Sequence, residues 1–435
     1  MSKWKSYIRD FLGRELIKDT IWTTIFSTIG KSVGFLIPFF IAAWFGVGKE
    51  TDAFFFAYGL IIFLASIFSP VVEGIIVPFI AEARAKDGDI AAFVGRILGI
   101  SAVGLCALSA LFLLIIKPSL AVVTRFSPEG VSLIYTILLE SVVLIVLIVW
   151  TSILAGSLNA YKVFSIPALS PAFRAIATLS FIFTFKDIFG VHAIAWGYVV
   201  GEVFRLSVLL LLLSRLNLFR IKLSIGWDKK FSEFFQTSSY QVIGMSILAL
   251  TPMINKTMAS WLGHGNVSIL EYADRLYQIP MTLIGYGLFT VLLSHWSGDF
   301  YNSGEYVFRQ KVIKVAKVVG AGTLLLSLIL ILLRQPLVNF VYKHGEFPIQ
   351  YLNLVSSILG IYLIGLPPTI IGLIFVRAHL VLKNTKFLMV LGIMNFILNI
   401  VFNLVLIKPL GISGLALSTT VTYTILAVVL FFRKI

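Results

Sequence analysis

The sequence predicts an all-α, polytopic membrane protein with about twelve transmembrane helices, arranged as two pseudo-symmetric six-helix lobes around a central cavity. Hydrophobic residues make up 59% of the chain and charged residues 13%, and the mean hydropathy is +0.98, which excludes an ordinary soluble protein. Mainly apolar runs of about 20 or more residues, long enough to cross a bilayer, recur along the whole chain. Short motifs also repeat weakly between the two halves.

The chain divides into four predicted parts: a basic interfacial N-terminal segment at 1–18, an N-lobe at 19–214, a cytoplasmic amphipathic connector at 215–233 and a C-lobe at 234–435. The N-terminal segment lacks the apolar core of a secretory signal, so we expect no cleavage there. The predicted spans of the N-lobe are 20–47, 53–82, 91–116, 131–158, 163–185 and 188–214, and those of the C-lobe are 237–262, 268–297, 312–333, 350–381, 387–407 and 411–432.

Proline positions predict two bent helices. The second span contains Pro70 and Pro78, and the tenth contains Pro367-Pro368. Because proline removes a backbone donor, the carbonyl groups freed at such bends must face protein or water inside a membrane.

The repeat is seen where the first and seventh spans end, with residues 43–48 (AWFGVG) and 260–265 (SWLGHG). Two six-helix halves with the same orientation imply a pseudo-twofold axis along the membrane normal, and transporters of this kind place the substrate path between their halves. The basic connector is predicted to be a structural, interfacial segment, with movement alongside the lobes as the alternative.

Basic residues predict the orientation in the membrane. Of the 35 lysines and arginines, 23 fall on the side of the N-terminus, seven on the opposite side and five within spans. The positive-inside rule therefore places both termini in the cytoplasm. The net charge of +15 is explained by this topology and by contact with anionic lipids at the cytoplasmic face, so we expect no nucleic-acid partner.

Five cations lie within predicted spans, where a charge needs a polar partner or a watery cavity. Lys31 is near mid-membrane, either lining a substrate cavity or paired with a buried acid. For Arg174, lining the cavity and forming a structural ion pair are equal alternatives. Lys256 either snorkels to the membrane surface or has a functional role. Arg275 must point inward. The fifth cation is Arg205.

Three carboxylates also lie deep in spans and are the candidates for ion coupling to H⁺ or Na⁺. Glu202 and Arg205 are three residues apart on one helical face, which favours a mutual salt bridge. Glu140 is expected either to pair with one of the membrane cations or to titrate, and Glu73, at the predicted bend, could do the same.

The sequence favours a non-enzyme without metal or cofactor. It contains five scattered histidines and the single cysteine Cys106, and it has no HExxH, Walker or GxSxG motif. Without a nucleotide site, transport would depend on an ion gradient, the membrane potential or the substrate gradient. A non-transporting scaffold, in which all buried charges pair, is a third alternative.

Several motifs carry a family resemblance. Residues 272–276 (YADRL), followed by Pro280, resemble a helix of the MurJ-type lipid II flippases, a family within the multidrug/oligosaccharidyl-lipid/polysaccharide (MOP) exporter superfamily. Further matching motifs are 30–35 (GKSVGF), 51–55 (TDAFF), 77–82 (VPFIAE), 344–347 (HGEF) and 377–386 (RAHLVLKNTK).

The resemblance implies a flippase that moves lipid II, or a related isoprenoid-diphosphate-linked sugar, across the bacterial cytoplasmic membrane by alternating access. We expect the protein to be a monomer. Lys31 and Arg275 occupy cationic positions of the family motifs and are expected to bind the diphosphate jointly, and Asp52 of the TDAFF segment is a further candidate substrate contact. Other basic positions of the family are uncharged here, so Arg174, Arg205 and Lys256 are additional candidate contacts. The alternative function is that of an ion-coupled multidrug exporter of the same superfamily.

Overall fold

The computed structural model describes residues 14–85, 89–216, 218, 221, 223–382 and 384–433. Most of the predicted segment at 1–18 therefore lies outside the described residues, as do four positions of the connector and Lys383 of the motif at 377–386. The helices are α1 (Arg14–Phe45), α2 (Lys49–Ala85), α3 (Ile90–Val123), α4 (Pro128–Ser141), α5 (Val143–Ala160), α6 (Ser165–Phe189), α7 (His192–Arg215), α8 (Lys229–Ala259), α9 (Asn266–Leu332), α10 (Arg334–Tyr342), α11 (Leu352–Ile364), α12 (Leu366–Val381), α13 (Thr385–Leu410) and α14 (Ile412–Phe432).

Ten helical segments of the described chain are long and apolar enough to cross a membrane. They are Ile25–Phe45, Lys49–Ile80, Ile90–Val123, Pro128–Ala160, Ser165–Phe189, His192–Arg215, Tyr306–Leu332, Ile349–Val381, Lys386–Leu410 and Ile412–Phe432. These segments confirm the all-α membrane class. The count of twelve remains a prediction, because the predicted seventh and eighth spans are not among them.

Two of the long spans are interrupted. The tenth predicted span breaks at Gly365, directly before Pro367-Pro368, as expected from the missing proline donors. The fourth span breaks at Val142, between α4 and α5, although residues 129–160 contain no proline. The Ser141 hydroxyl donates to the carbonyl of Ile137 at 2.5 Å, a back-bond that is known to bend helices.

Helix α9 corrects one prediction. The sequence pattern placed a polar connection between the spans 268–297 and 312–333, but the structure has one helix of 67 residues. Residues 298–311 contain no proline, so nothing in their covalent structure forces the helix to end there. Polarity alone was therefore a poor signal for a break.

The described chain clusters into two compact units. The first comprises Met1–Ile37, Leu60–Lys117 and Tyr135–Met245, and the second comprises Pro38–Gly59, Pro118–Ile134 and Ser246–Ile435. Within the first unit α6 packs closely along α7, because Gly201 leaves no space for a side chain: a Cβ there would lie 2.7 Å from the Arg174 carbonyl oxygen. Within the second unit α9 packs against α11 and α12.

Residues 223–228 of the connector have no regular secondary structure, and its last five residues, 229–233, form the start of α8. Leu223, Ile225 and Trp227 are exposed, whereas the intervening Ser224 lies against α3, where its amide donates to the Gly95 carbonyl at 3.4 Å. This alternation gives the connector an apolar side. Its interfacial position remains a prediction.

The predicted orientation can be tested by cysteine labelling. In a Cys106→Ser background, we expect Asp187→Cys and Lys343→Cys to react with a membrane-impermeant maleimide added to intact cells, because both positions are exposed and fall on the predicted outer side. Ser214→Cys and Ser232→Cys, also exposed, should react only after permeabilisation. Labelling of Ser232→Cys in intact cells would reverse the orientation.

Candidate functional site

Glu271 lies at the centre of a charged cluster in the second unit, on the second turn of α9. Its side chain is only 5% exposed, and its two oxygens bind two different cations. Oε2 accepts a hydrogen bond from Lys256 Nζ at 2.8 Å, and Oε1 pairs with the Arg275 guanidinium one turn further along the helix. Glu271 therefore supplies a polar partner for both membrane cations.

Lys256 is held inside the second unit. Its Nζ also donates to the Phe55 carbonyl at 3.1 Å, and its side chain is 13% exposed. Gly59 of α2 makes room for it, because a Cβ at Gly59 would lie 3.0 Å from Nζ. The structure thus places Lys256 against protein groups rather than in a snorkelling position.

Asp52 fixes the start of α9. Its carboxylate accepts hydrogen bonds from the amide of Gly265 at 2.5 Å, and from the amide and the hydroxyl of Ser268, each at 2.7 Å. A carboxylate at a helix N-terminus satisfies unpaired amides and matches the helix dipole. Asp52 is fully buried, so the structure uses this predicted substrate contact as a helix cap.

Buried tyrosines hold the same end of α9. The Tyr272 hydroxyl donates to the Gly46 carbonyl, and the Tyr342 hydroxyl donates to the Tyr272 carbonyl, both at 2.8 Å. The motif residue Tyr272 is fully buried and acts structurally. Its neighbour Asp274 is half-buried and accepts a hydrogen bond from the Gln278 amide at 3.3 Å.

Glu202 pairs with two cations in the first unit, as Glu271 does in the second. Its Oε1 accepts hydrogen bonds from Thr151 Oγ1 at 2.6 Å and from Arg205 at 3.1 Å, and Oε2 lies 3.5 Å from the Arg174 guanidinium. Arg205 Nε also donates to Ser170 Oγ at 3.0 Å. The i,i+3 salt bridge favoured by the sequence is thus present, and Arg174 joins it from the neighbouring helix α6.

Lys31 lies in the same unit as this cluster. Gly30 allows α1 to approach α6 closely, because a Cβ at Gly30 would lie 2.5 Å from the Ala168 carbonyl oxygen. Lys31 and Glu73 are both half-buried, and Lys31 and Arg205 are the cations whose charge acts on Glu73. The first unit therefore contains three of the predicted cations, Lys31, Arg174 and Arg205, and all three predicted carboxylates, Glu73, Glu140 and Glu202. Arg275 belongs to the second unit.

Glu140 has a different partner from those expected. Its Oε2 lies 2.9 Å from Nδ1 of His192, the first residue of α7, rather than next to one of the membrane cations. Both side chains are partly exposed, and Glu140 lies two residues before the break at Val142.

Two sets of buried polar residues were not among the predicted site residues. Glu271 was not considered, although its four-residue spacing from Arg275 was a usable signal. The buried Asn395, Asn399 and Asn403 follow the same spacing on α13, and Asn403 donates to Asn255 at 2.8 Å. Within the described ranges, no group of three or more His, Cys, Asp or Glu residues could hold a metal ion.

The sequence of this chain is similar to that of known membrane transporters. The family profile described as "Lipid II flippase MurJ" matches residues 41–435. The probable lipid II flippase MurJ of Bdellovibrio bacteriovorus is 29% identical over 281 residues, which cover 63% of this chain and 53% of that protein. The lipid II flippase MurJ of Burkholderia cenocepacia is 26% identical over 411 residues, or 90% of this chain and 78% of that protein. The chain thus spans about half the length of the Bdellovibrio relative.

Solved structures share the fold. A lipid II flippase MurJ in an inward closed conformation matches with a TM-score of 0.81 and 25% identity, covering 96% of this chain and 87% of that one. An inward-facing MATE family transporter of the MOP superfamily matches with a TM-score of 0.74 and 16% identity, covering 94% and 92%. Both names describe transporters rather than enzymes. Since the family profile covers nearly the whole chain and the MurJ fold extends over almost all of it, the chain belongs to the MurJ family of lipid II flippases.

Proposed function

We propose that this protein translocates lipid II, or a related isoprenoid-diphosphate-linked sugar, across the bacterial cytoplasmic membrane by alternating access. Family membership supports the substrate class. The observation that carries the proposal is Arg275, a cation of the family motif that is 30% exposed although it is paired with a deeply buried glutamate. An arginine can bind two phosphate oxygens at once, which suits it to a diphosphate.

Lys31 is the second proposed head-group contact. It is half-buried on α1, next to the close approach at Gly30, and its ammonium would act on the diphosphate as a point charge. Lys31 and Arg275 are the two cations at basic positions of the family motifs, and on that ground we assign them to the substrate. Arg174 and Arg205, which pair with Glu202, and Lys256, which binds Glu271 and the Phe55 carbonyl, are assigned supporting roles.

A multidrug exporter for cationic drugs is the less well supported function. Such a site offers an unpaired carboxylate to the drug, whereas Glu202 and Glu271, the most buried glutamates among the described residues, are each engaged by two cations. The similarity to MATE transporters is at 16% identity and concerns the fold.

The proposed function is tested by reconstitution. We expect purified protein in proteoliposomes to flip a fluorescent diphosphate-linked polyprenyl sugar, because the family and the membrane cations both suit this anionic head group. Export of a cationic dye should stay at the level of protein-free liposomes. Dye export without lipid flipping would favour the multidrug alternative.

Coupling to H⁺ or Na⁺ is proposed to involve Glu73 or Glu140, since the third candidate, Glu202, is locked by two arginines. We expect Glu73→Gln or Glu140→Gln to remove the dependence of flipping on an imposed ion gradient. Flipping of the lipid down its own concentration gradient should continue. Flipping is measured in proteoliposomes with and without each gradient. If both variants respond to the gradients as the wild type does, the potential acting on the bound head group becomes the proposed driving force.

A further inference from the structure

The two cations at Glu271 are held in different ways. Each has its own oxygen of the carboxylate: Lys256 binds Oε2, and Arg275 binds Oε1. Either cation can therefore leave without breaking the contact of the other. A carboxylate that is 5% exposed is costly to leave without a counter-ion, so at least one of them has to remain.

Lys256 is the fixed partner. It comes from α8, and its Nζ is bound at 2.8 Å to Glu271 and at 3.1 Å to the Phe55 carbonyl of α2. Its side chain also packs against Gly59, where a Cβ would lie 3.1 Å from the lysine Cδ. Release of Lys256 would thus break contacts with two other helices.

Arg275 is the more exposed partner. It lies four residues after Glu271 on the same helix, so their pair can open by side-chain rotation, without displacement of a helix. Its side chain is 30% exposed, compared with 13% for Lys256. The guanidinium is the cation of this cluster that a ligand can reach most easily.

We propose that Lys256, Glu271 and Arg275 form an ion-pair exchange site. In the unliganded state Glu271 holds Arg275. A diphosphate head group then takes the guanidinium, and Lys256 remains as the counter-ion of Glu271. The inference rests on the proposed function, in which Arg275 binds the diphosphate.

The exchange makes Glu271 and Lys256 positioning residues that set how tightly the substrate binds. Glu271 competes with the diphosphate for the guanidinium, which weakens binding and helps release. Lys256 has the opposite effect, because it removes the penalty of leaving Glu271 buried and unpaired. Substitutions at the two residues should therefore change ligand affinity in opposite directions.

The test measures binding of farnesyl diphosphate to the purified full-length protein. We expect Glu271→Gln to tighten binding about tenfold, as it would if Arg275 is released in roughly a tenth of the wild-type molecules. Lys256→Met should weaken binding about tenfold, since Glu271 then depends on Arg275 alone. The double variant should bind at least as tightly as the wild type, because a neutral glutamine needs neither cation.

Thermal unfolding of each variant provides the structural control. A purely structural role predicts lower unfolding midpoints for both single variants with unchanged affinity, or affinity changes of the same sign, and either result would overturn the exchange. If Glu271→Gln alone does not fold, the double variant decides: binding weaker than that of the wild type rejects the proposal. Glu129→Gln, which removes an exposed carboxylate of the second unit, should bind like the wild type.

Arg275→Ala separates this inference from the proposed function. Loss of farnesyl diphosphate binding in Arg275→Ala, together with opposite effects at Glu271 and Lys256, supports both. Loss in Arg275→Ala without the opposite effects rejects the exchange alone. Unchanged binding by Arg275→Ala rejects the head-group contact and the exchange with it.

Discussion

Arg275→Ala and Lys31→Ala are each expected to abolish flipping while the protein stays inserted and folded. Removing one partner of a charge pair in a desolvated site costs about 2–5 kcal/mol, which corresponds to a rate loss of roughly thirtyfold to several thousandfold. The fold should tolerate Arg275→Ala because Glu271 keeps Lys256 at 2.8 Å. The measurement is the rate of flipping of a fluorescent diphosphate-linked lipid in proteoliposomes.

Conservative variants serve as controls for this prediction. Lys31→Arg should retain flipping, since only charge and reach are needed there, whereas Arg275→Lys should be impaired because a lysine cannot bind bidentately. Near-normal rates for both alanine variants would place the head-group site elsewhere. Arg174 and Arg205 would then be the next cations to test.

Glu202→Gln is expected to cause the largest loss of stability. The substitution leaves Arg174 and Arg205 without the carboxylate that binds both of them, inside the first unit. Breaking a buried pair in this way costs about 3–5 kcal/mol. The loss can be measured as a lower midpoint of thermal unfolding in detergent.

A triple variant provides the matched control. Arg174→Met, Glu202→Met and Arg205→Met together remove all three charges, and buried ion pairs replaced by apolar side chains are often neutral in stability. We therefore expect the triple variant to be more stable than Glu202→Gln alone. If Glu202→Gln unfolds like the wild type and loses only its response to an ion gradient, Glu202 is a coupling residue rather than a structural one.

Sequence features predicted the structure correctly where the feature and its structural effect lie within one helix. Composition and apolar run length indicated an all-α membrane protein, and Pro367-Pro368 predicted the interruption near Gly365. The spacing of Glu202 and Arg205 predicted their salt bridge. Each of these depends on backbone chemistry or on one helical face, both of which can be derived from neighbouring positions.

By itself, the sequence determined the membrane class, the family motifs and the set of membrane cations. The tertiary structure decided which acids bind Arg174, Arg205, Lys256 and Arg275. Arg174 reaches Glu202 from another helix, Lys256 reaches Glu271, and Asp52 caps a helix that begins more than 200 residues later. Such partners depend on the rotation and approach of separate helices, which glycines such as Gly59 and Gly201 permit. Periodicity within one helix carries no information about them, because it specifies a face and not the neighbour that packs against it.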